Sequence, residues 1–165
     1  MLVGGVAGGY YLDARLFPAA HTVANHILAF MVGTIPLRIV FAVSQNTGRT
    51  LAKYGRQGDD VPRMETNKLA TEGLYALMRH PMHLGLLFVP WTIAILAGSP
   101  SFFLIIAPME MLLMVAMIVW FEEPEAIRKF GESYRDYQKR VPMFCLKPAC
   151  LRALLTHVPK RTSSS

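Results

Sequence analysis

The sequence predicts an all-α fold: a polytopic transmembrane bundle of about three to four membrane helices with a C-terminal cytosolic amphipathic helix. Three observations predict it. Residues 81–121 are almost wholly apolar and are interrupted once, by Gly98-Ser99-Pro100-Ser101. Hydrophobic residues make up 53% of the chain and charged residues only 17%, an imbalance foreign to water-soluble domains. The remaining cations are gathered into two segments: of 17 Lys and Arg, six lie between Arg49 and Arg79, nine between Arg128 and Arg161, and none in the 98–101 turn.

Each element follows in order. Residues 1–17 form an apolar, glycine-rich run too short to span a bilayer comfortably and without the basic start of a signal peptide. A short helix, a re-entrant helix and the remainder of a longer one all fit it. Residues 22–43 form the first full span, kinked at Pro36, with Arg38 snorkelling to the interface and His26 as a hydrogen-bonded polar group inside the bundle. Residues 44–72 read as a cytosolic loop, with a short interfacial helix from Gly48 to Tyr54 and Asp59-Asp60 solvated. Residues 81–98 and 102–121 form a helical hairpin, each arm about 20 residues and so ~30 Å long. Because the arms match, the chain returns to the level where it entered, and Glu122 and Glu123 come back near Arg79 and His80. Residues 123–140 form an amphipathic helix with Ile127, Phe130, Tyr134 and Tyr137 on one face. The whole is one domain, 1–165, with its motif-bearing core at 69–144 and a basic tail at 145–165 that ends in disordered serines.

Charge placement assigns sides. Both basic segments, 44–80 and 122–165, belong on the cytosolic side, which makes anionic lipid headgroups the expected partner of the surplus charge. Nucleic acid is not expected, because the cations flank membrane spans and carry no recognition motif. Cys145 and Cys150, with four residues between them, lie in this cytosolic segment, so a disulfide is not expected there. Packing, free thiols and palmitoylation remain open for them. No metal site is expected.

Chemistry concentrates in a few residues. Arg79 and His80 open a helix, where backbone N–H groups add to their positive field. Glu122 and Glu123 are adjacent, so on a helix they point ~100° apart and do not form an acid–base dyad. Glu110 lies 12 residues before Glu122, about 18 Å up the helix and near mid-membrane. An ionisable group at that depth is a functional candidate.

The ordered set Gly73, Tyr75, Arg79-His80-Pro81, Gly85, Glu122-Glu123, Phe130-Gly131, Tyr134, Tyr137 and Val141-Pro142 resembles the isoprenylcysteine carboxyl methyltransferases and the related phospholipid methyltransferases. The resemblance implies S-adenosylmethionine as cofactor, held on the cytosolic side by Tyr75, Arg79, His80, Pro81, His83, Glu122, Glu123, Tyr134 and Tyr137. It further implies a lipidic acceptor entering from the bilayer: a prenylated cysteine carboxylate first, a phospholipid amine or a small thiol as alternatives. A non-catalytic scaffold of the same fold is the reading from another class. His83 stands where the family commonly has Tyr, and Met143 where it commonly has Arg. Arg140 is therefore the expected anchor of the acceptor, with Lys147 as the alternative cation. Glu110 or Glu123 is the expected proton acceptor should the acceptor be an amine. The implied setting is a multi-pass membrane protein of the endoplasmic reticulum in a eukaryote or the inner membrane in a bacterium.

Overall fold

Eight α-helices carry the residues that the computed structural model describes, 2–57 and 66–156, and no strand occurs among them. Asp59-Asp60 and the terminal serines lie outside the described residues. The helices are α1 (Leu2–Leu16), α2 (Val23–Tyr54), α3 (Pro81–Leu86), α4 (Val89–Ala97), α5 (Ala107–Met117), α6 (Glu123–Phe130), α7 (Glu132–Arg140) and α8 (Pro148–Thr156). They fall into two units, residues 1–40 with 86–122 and residues 41–85 with 123–165. Of the 17 basic residues all but Arg15 and Arg38 belong to the second unit, so the first is the apolar one.

The bundle is a helical membrane fold, as the sequence predicts. Two stretches are long and apolar enough to cross a membrane, Val23–Tyr54 with 32 residues and Phe102–Phe130 with 29. Pro81–Ala97 is apolar but shorter. Phe30, Met31, Ile35, Leu112 and Trp120 are each more than 60% exposed. Such a density of bare large side chains is stable only against lipid or further protein.

In the apolar unit, the glycine-rich start of the chain is a helix, α1, packed on the hairpin. The hairpin turn is closed by Gly98 at φ 65°, which donates to Ile95 O, while Ser99 donates to Ala94 O. This is a Schellman ending, and only glycine takes its left-handed backbone without a steric penalty. Asp13 of α1 lies fully buried beneath the turn. Its carboxylate accepts the Ser99 hydroxyl and, at 2.7 Å, the Ser101 N–H, so α1 caps the start of the returning helix from outside that helix. Tyr10 and His26 both donate to Ala97 O, at 2.8 and 3.0 Å. His26 is thus a hydrogen-bonded bundle residue, as expected.

The first arm departs from the single helix expected at 81–98: it breaks at Leu87-Phe88 into α3 and α4. Pro90 has no N–H to offer Leu86, and its ring crowds that carbonyl. The second arm is one continuous helix that widens to π geometry at Phe102–Ile106 and Ile118–Glu122.

Close backbone approach joins α2 to α4. A Cβ on Gly33 would lie 2.8 Å from the Leu96 side chain and 2.9 Å from its Cα, which cannot swing away. Gly33→Ala is therefore expected to cost about 1–3 kcal/mol, the usual range for overpacking. Gly48→Ala, in the same helix with open space around it, is expected to gain a few tenths of a kcal/mol or more from helix propensity. Thermal unfolding of the two variants in detergent checks the contrast.

The second unit corrects two expectations. Residues 44–47 are not loop, and the helix expected from Gly48 to Tyr54 is not separate: α2 runs on unbroken to Tyr54. The Thr47 and Thr50 hydroxyls donate to Val43 O and Asn46 O one turn back, so these polar residues satisfy themselves within the helix, and no breaker stands before Gly55. Beyond it, Asn67 and Gln57 exchange two hydrogen bonds at 2.8 and 2.7 Å. The amphipathic helix expected over 123–140 is two helices, because Gly131 takes φ 59° and ψ −135°, a backbone state almost exclusive to glycine. Tyr134 and Tyr137 are buried, whereas Ile127 and Phe130 are only partly so.

Candidate active site

The charged cluster of the second unit is built by three segments. The chain after α7 runs beside the start of α3, where Arg79 and His80 donate their backbone N–H groups to Pro142 O and Met143 O at 2.9 and 3.2 Å. This short ladder fixes both side chains toward Glu123 at the start of α6. Arg79 reaches Glu123 Oε1 through Nη2 at 2.7 Å and Nε at 2.9 Å. Its Nη1 donates to Val141 O at 2.7 Å and Gln138 O at 3.2 Å. Four of the five guanidinium N–H groups are thereby engaged. His80 Nε2 lies 3.3 Å from the same Oε1, and Gln138 Nε2 donates to Oε2 at 3.0 Å. The Arg79 and Glu123 side chains retain only 11% and 13% exposure.

Beneath the cluster Tyr137 donates to Tyr75 O at 2.6 Å, and Tyr134 stands edge-on to its ring. Burial pushes the Tyr137 hydroxyl well above its ordinary value, with the Tyr134 and Tyr75 phenols adding to the shift. A raised folded-state value means that the neutral phenol contributes stability that is complete below pH ~10, the unfolded-state value, and is lost as pH climbs above it. Tyr137→Phe is expected to cost about 1 kcal/mol at neutral pH, one hydrogen bond, and to flatten the decline of stability above pH ~10. Denaturant midpoints measured from pH 7 to 11 check both.

Of the residues expected at the site, Tyr75, Arg79, His80, Pro81, His83, Glu123, Tyr134 and Tyr137 all belong to this unit. His83 stands T-shaped to His80 at 5.5 Å between ring centroids, and Pro81 is buried as the first residue of α3. Glu122 ends the apolar unit, as the last residue of the π turn. Glu110 belongs to that unit too. Arg140 is exposed, its Nε donating to Asp136 O within its own helix. Gln138 had no sequence signal, being a polar residue in a polar helix, nor did the carbonyls of Val141 and Gln138.

The cysteines require a correction. Cys145 and Cys150 are joined in a disulfide, with Cα atoms 5.9 Å apart. The expectation against it rested on cellular compartment, whereas local geometry brings the two together: Pro148 starts α8 and turns Cys150 back onto the strand of chain that leaves Met143. Asn46 holds the far end of α8, donating to Leu154 O and Leu155 O at 3.1 and 2.9 Å.

The charged unit of this helical membrane fold thus carries an Arg–His–Glu cluster. The chain belongs to the phospholipid methyltransferase family, whose model matches residues 24–133 and so takes in Arg79, His80, Glu110 and Glu123. It is similar to methanethiol S-methyltransferase 2 of Bradyrhizobium diazoefficiens, 39% identical over 71 residues, which is 42% of this chain and 26% of the relative. It is also similar to methanethiol S-methyltransferase of Pseudomonas deceptionensis, 33% identical over 70 residues, 42% of this chain and 25% of the relative. Methanethiol S-methyltransferase 1 of Bradyrhizobium diazoefficiens is 29% identical over 76 residues, 46% of this chain and 25% of the relative. The matched stretch spans about a quarter of the length of each of these relatives.

Proposed function

We propose that the chain is an S-adenosylmethionine-dependent membrane methyltransferase whose acceptor is a thiol. The cluster of Arg79, His80 and Glu123 inside the family-matched region carries this reading. The cofactor's amino-acid end presents an ammonium and a carboxylate side by side. A site in which a guanidinium and an imidazole both lie within hydrogen-bond distance of one carboxylate has the matching donors and acceptor. Glu123 would face the ammonium, with the imidazoles of His80 and His83 and the remaining Arg79 N–H facing the carboxylate. The cofactor supplies an electrophilic methyl group, so the protein's part is alignment and exclusion of water. The names of the relatives favour a thiol over the prenylcysteine carboxylate as acceptor. A thiol also needs no carboxylate anchor, which suits a chain with Met143 after Val141-Pro142 and an exposed Arg140.

The test is methyl transfer from radiolabelled S-adenosylmethionine by the purified protein in detergent. Thioether product from methanethiol and longer thiols is expected, with little from a farnesylcysteine analogue. His80→Ala is expected to weaken cofactor binding by about 1–3 kcal/mol. Transfer to farnesylcysteine alone would return the acceptor to the prenylcysteine class, and no cofactor binding at all would leave a scaffold. The same reading places the basic segments 44–80 and 122–165 on the cytosolic side of the membrane. Cysteine labelling of Ser99→Cys and Ser163→Cys from opposite sides of sealed vesicles is the expected result.

A further inference from the structure

Arg79 holds Glu123 by one oxygen only. A guanidinium often meets a carboxylate fork to fork, with one N–H on each oxygen. Here Nε and Nη2 both donate to Oε1, at 2.9 and 2.7 Å, and His80 Nε2 lies 3.3 Å from the same atom. An ionised carboxylate has about four acceptor positions, shared between its two oxygens, so Oε1 is saturated. Oε2 accepts one hydrogen bond from the described residues, that of the Gln138 amide at 3.0 Å, and keeps an acceptor position open.

The contacts at Oε1 fix that atom but not the orientation of the group. The last torsion of a glutamate is broad and two-fold, so without a partner of its own Oε2 would swing. Gln138 stops the swing from α7, 15 residues along the chain. Its backbone carbonyl also accepts Arg79 Nη1 at 3.2 Å, so one residue grips both members of the pair. The two grips are separable. A substitution removes the amide and leaves the carbonyl, and Arg79 keeps its anchor.

The open position on Oε2 suits a cationic donor, and the Glu123 side chain, at 13% exposure, is not sealed from a ligand. The α-ammonium of S-adenosylmethionine is such a donor and would form a charge-assisted hydrogen bond there. An acceptor already held in its binding orientation does not have to be ordered when the ligand arrives.

We propose that Gln138 is a positioning residue that aims Glu123 Oε2 at the ammonium group of the cofactor. The proposal rests on the cofactor reading above and deepens it: it names the oxygen that receives the ammonium and the residue that sets its direction.

The experiment is equilibrium binding to the full chain in detergent. The ligands are S-adenosylmethionine, S-adenosylhomocysteine, and the latter with hydrogen in place of its amino group. Wild type is expected to bind the deaminated ligand at least about tenfold more weakly than S-adenosylhomocysteine, as the loss of a hydrogen bond between charged groups implies. Gln138→Met keeps the length of the side chain without a donor, and Gln138→Asn draws the amide back by one methylene. Each is expected to shrink that preference at least about fivefold, most of what such a bond is worth. A residue that only supported the fold would weaken both ligands alike, so an unchanged preference overturns the proposal whatever the absolute affinities. Variants that bind neither ligand, or no longer elute as wild type on gel filtration, also overturn it, because Gln138 is then a structural residue. Wild type that binds S-adenosylmethionine but does not distinguish the deaminated ligand sinks this inference alone. Wild type that binds neither S-adenosylmethionine nor S-adenosylhomocysteine sinks the cofactor reading itself.

Discussion

Glu123→Ala is expected to lower the stability of the protein by about 3 kcal/mol and to abolish cofactor binding with it. The magnitude follows from what the substitution leaves behind. Removing one member of a largely buried ion pair strands the other, at a cost of roughly 3–5 kcal/mol. The lower figure applies because Arg79 keeps Gln138 O and Val141 O as acceptors. Gln138 loses its partner as well. Glu123→Gln retains an acceptor for Arg79 without the charge and is expected to cost about half as much. Arg79→Met combined with Glu123→Leu is expected to fall short of the sum of the single losses by at least ~1 kcal/mol, the coupling of neighbours that share one site. Thermal and denaturant unfolding in detergent measure these variants together with Arg79→Met and Glu123→Leu alone. A loss below ~1 kcal/mol for Glu123→Ala, the value of an exposed pair, would show that the cluster does not hold the second unit together.

In the apolar unit the corresponding residue is Asp13, and Asp13→Ala is expected to cost about 3 kcal/mol. Two donors converge on this fully buried carboxylate, the Ser99 hydroxyl and the Ser101 N–H. Hydrogen bonds to a charged acceptor are worth roughly 1.5–3 kcal/mol each, and part of this returns because the charge itself no longer has to be buried. The Ser101 hydroxyl already has no hydrogen-bond partner among the described residues, so the variant would leave both polar groups of Ser101 unserved, while Ser99 Oγ would keep only the Phe102 N–H. Asp13→Asn keeps an acceptor for the Ser101 N–H and is expected to lose about 1–2 kcal/mol. Protease cleavage at residues 98–101, scored beside the unfolding midpoint, distinguishes a loosened turn from a general loss. Equal midpoints and equal cleavage in Asp13→Ala and wild type would remove Asp13 from any capping role.

Several of these features were legible in the sequence. An apolar run split once by Gly98-Ser99-Pro100-Ser101 can hardly be anything but a hairpin, since hydrocarbon-length helices are what such a composition can build. Gly98 at the turn and Arg79, His80 and Glu123 at its two ends follow from equal arm lengths. Other features needed long-range contacts. Nothing near Asp13 in the chain shows that it caps a helix 88 residues away, because a capping acceptor is recognised by its position in space. Gln138 could not be told from its polar neighbours. Gly131 was visible as a glycine, but whether a glycine breaks a helix or rides within it depends on what each half packs against. The continuity of α2 across Ser44 to Thr47 was hidden by their polarity, which for Thr47 is satisfied inside the helix rather than by water.

By itself the sequence determined the class of molecule: a helical membrane protein, the separation of an apolar from a basic half, and the Arg79, His80 and Glu123 of the charged cluster, although two helices rather than three or four are long and apolar enough to span a membrane among the described residues. These are consequences of composition and period, which act locally and survive without knowledge of neighbours. Only the tertiary structure decided how those residues are used. It paired Arg79 with Glu123, engaged Tyr137 with a backbone carbonyl, joined Cys145 to Cys150, and gave the Glu110 carboxylate no hydrogen-bond donor among the described residues. Apart from the local disulfide, these depend on distances between segments far apart in the chain, and hydrogen bonds, ion pairs and packing all fall away within a few ångströms.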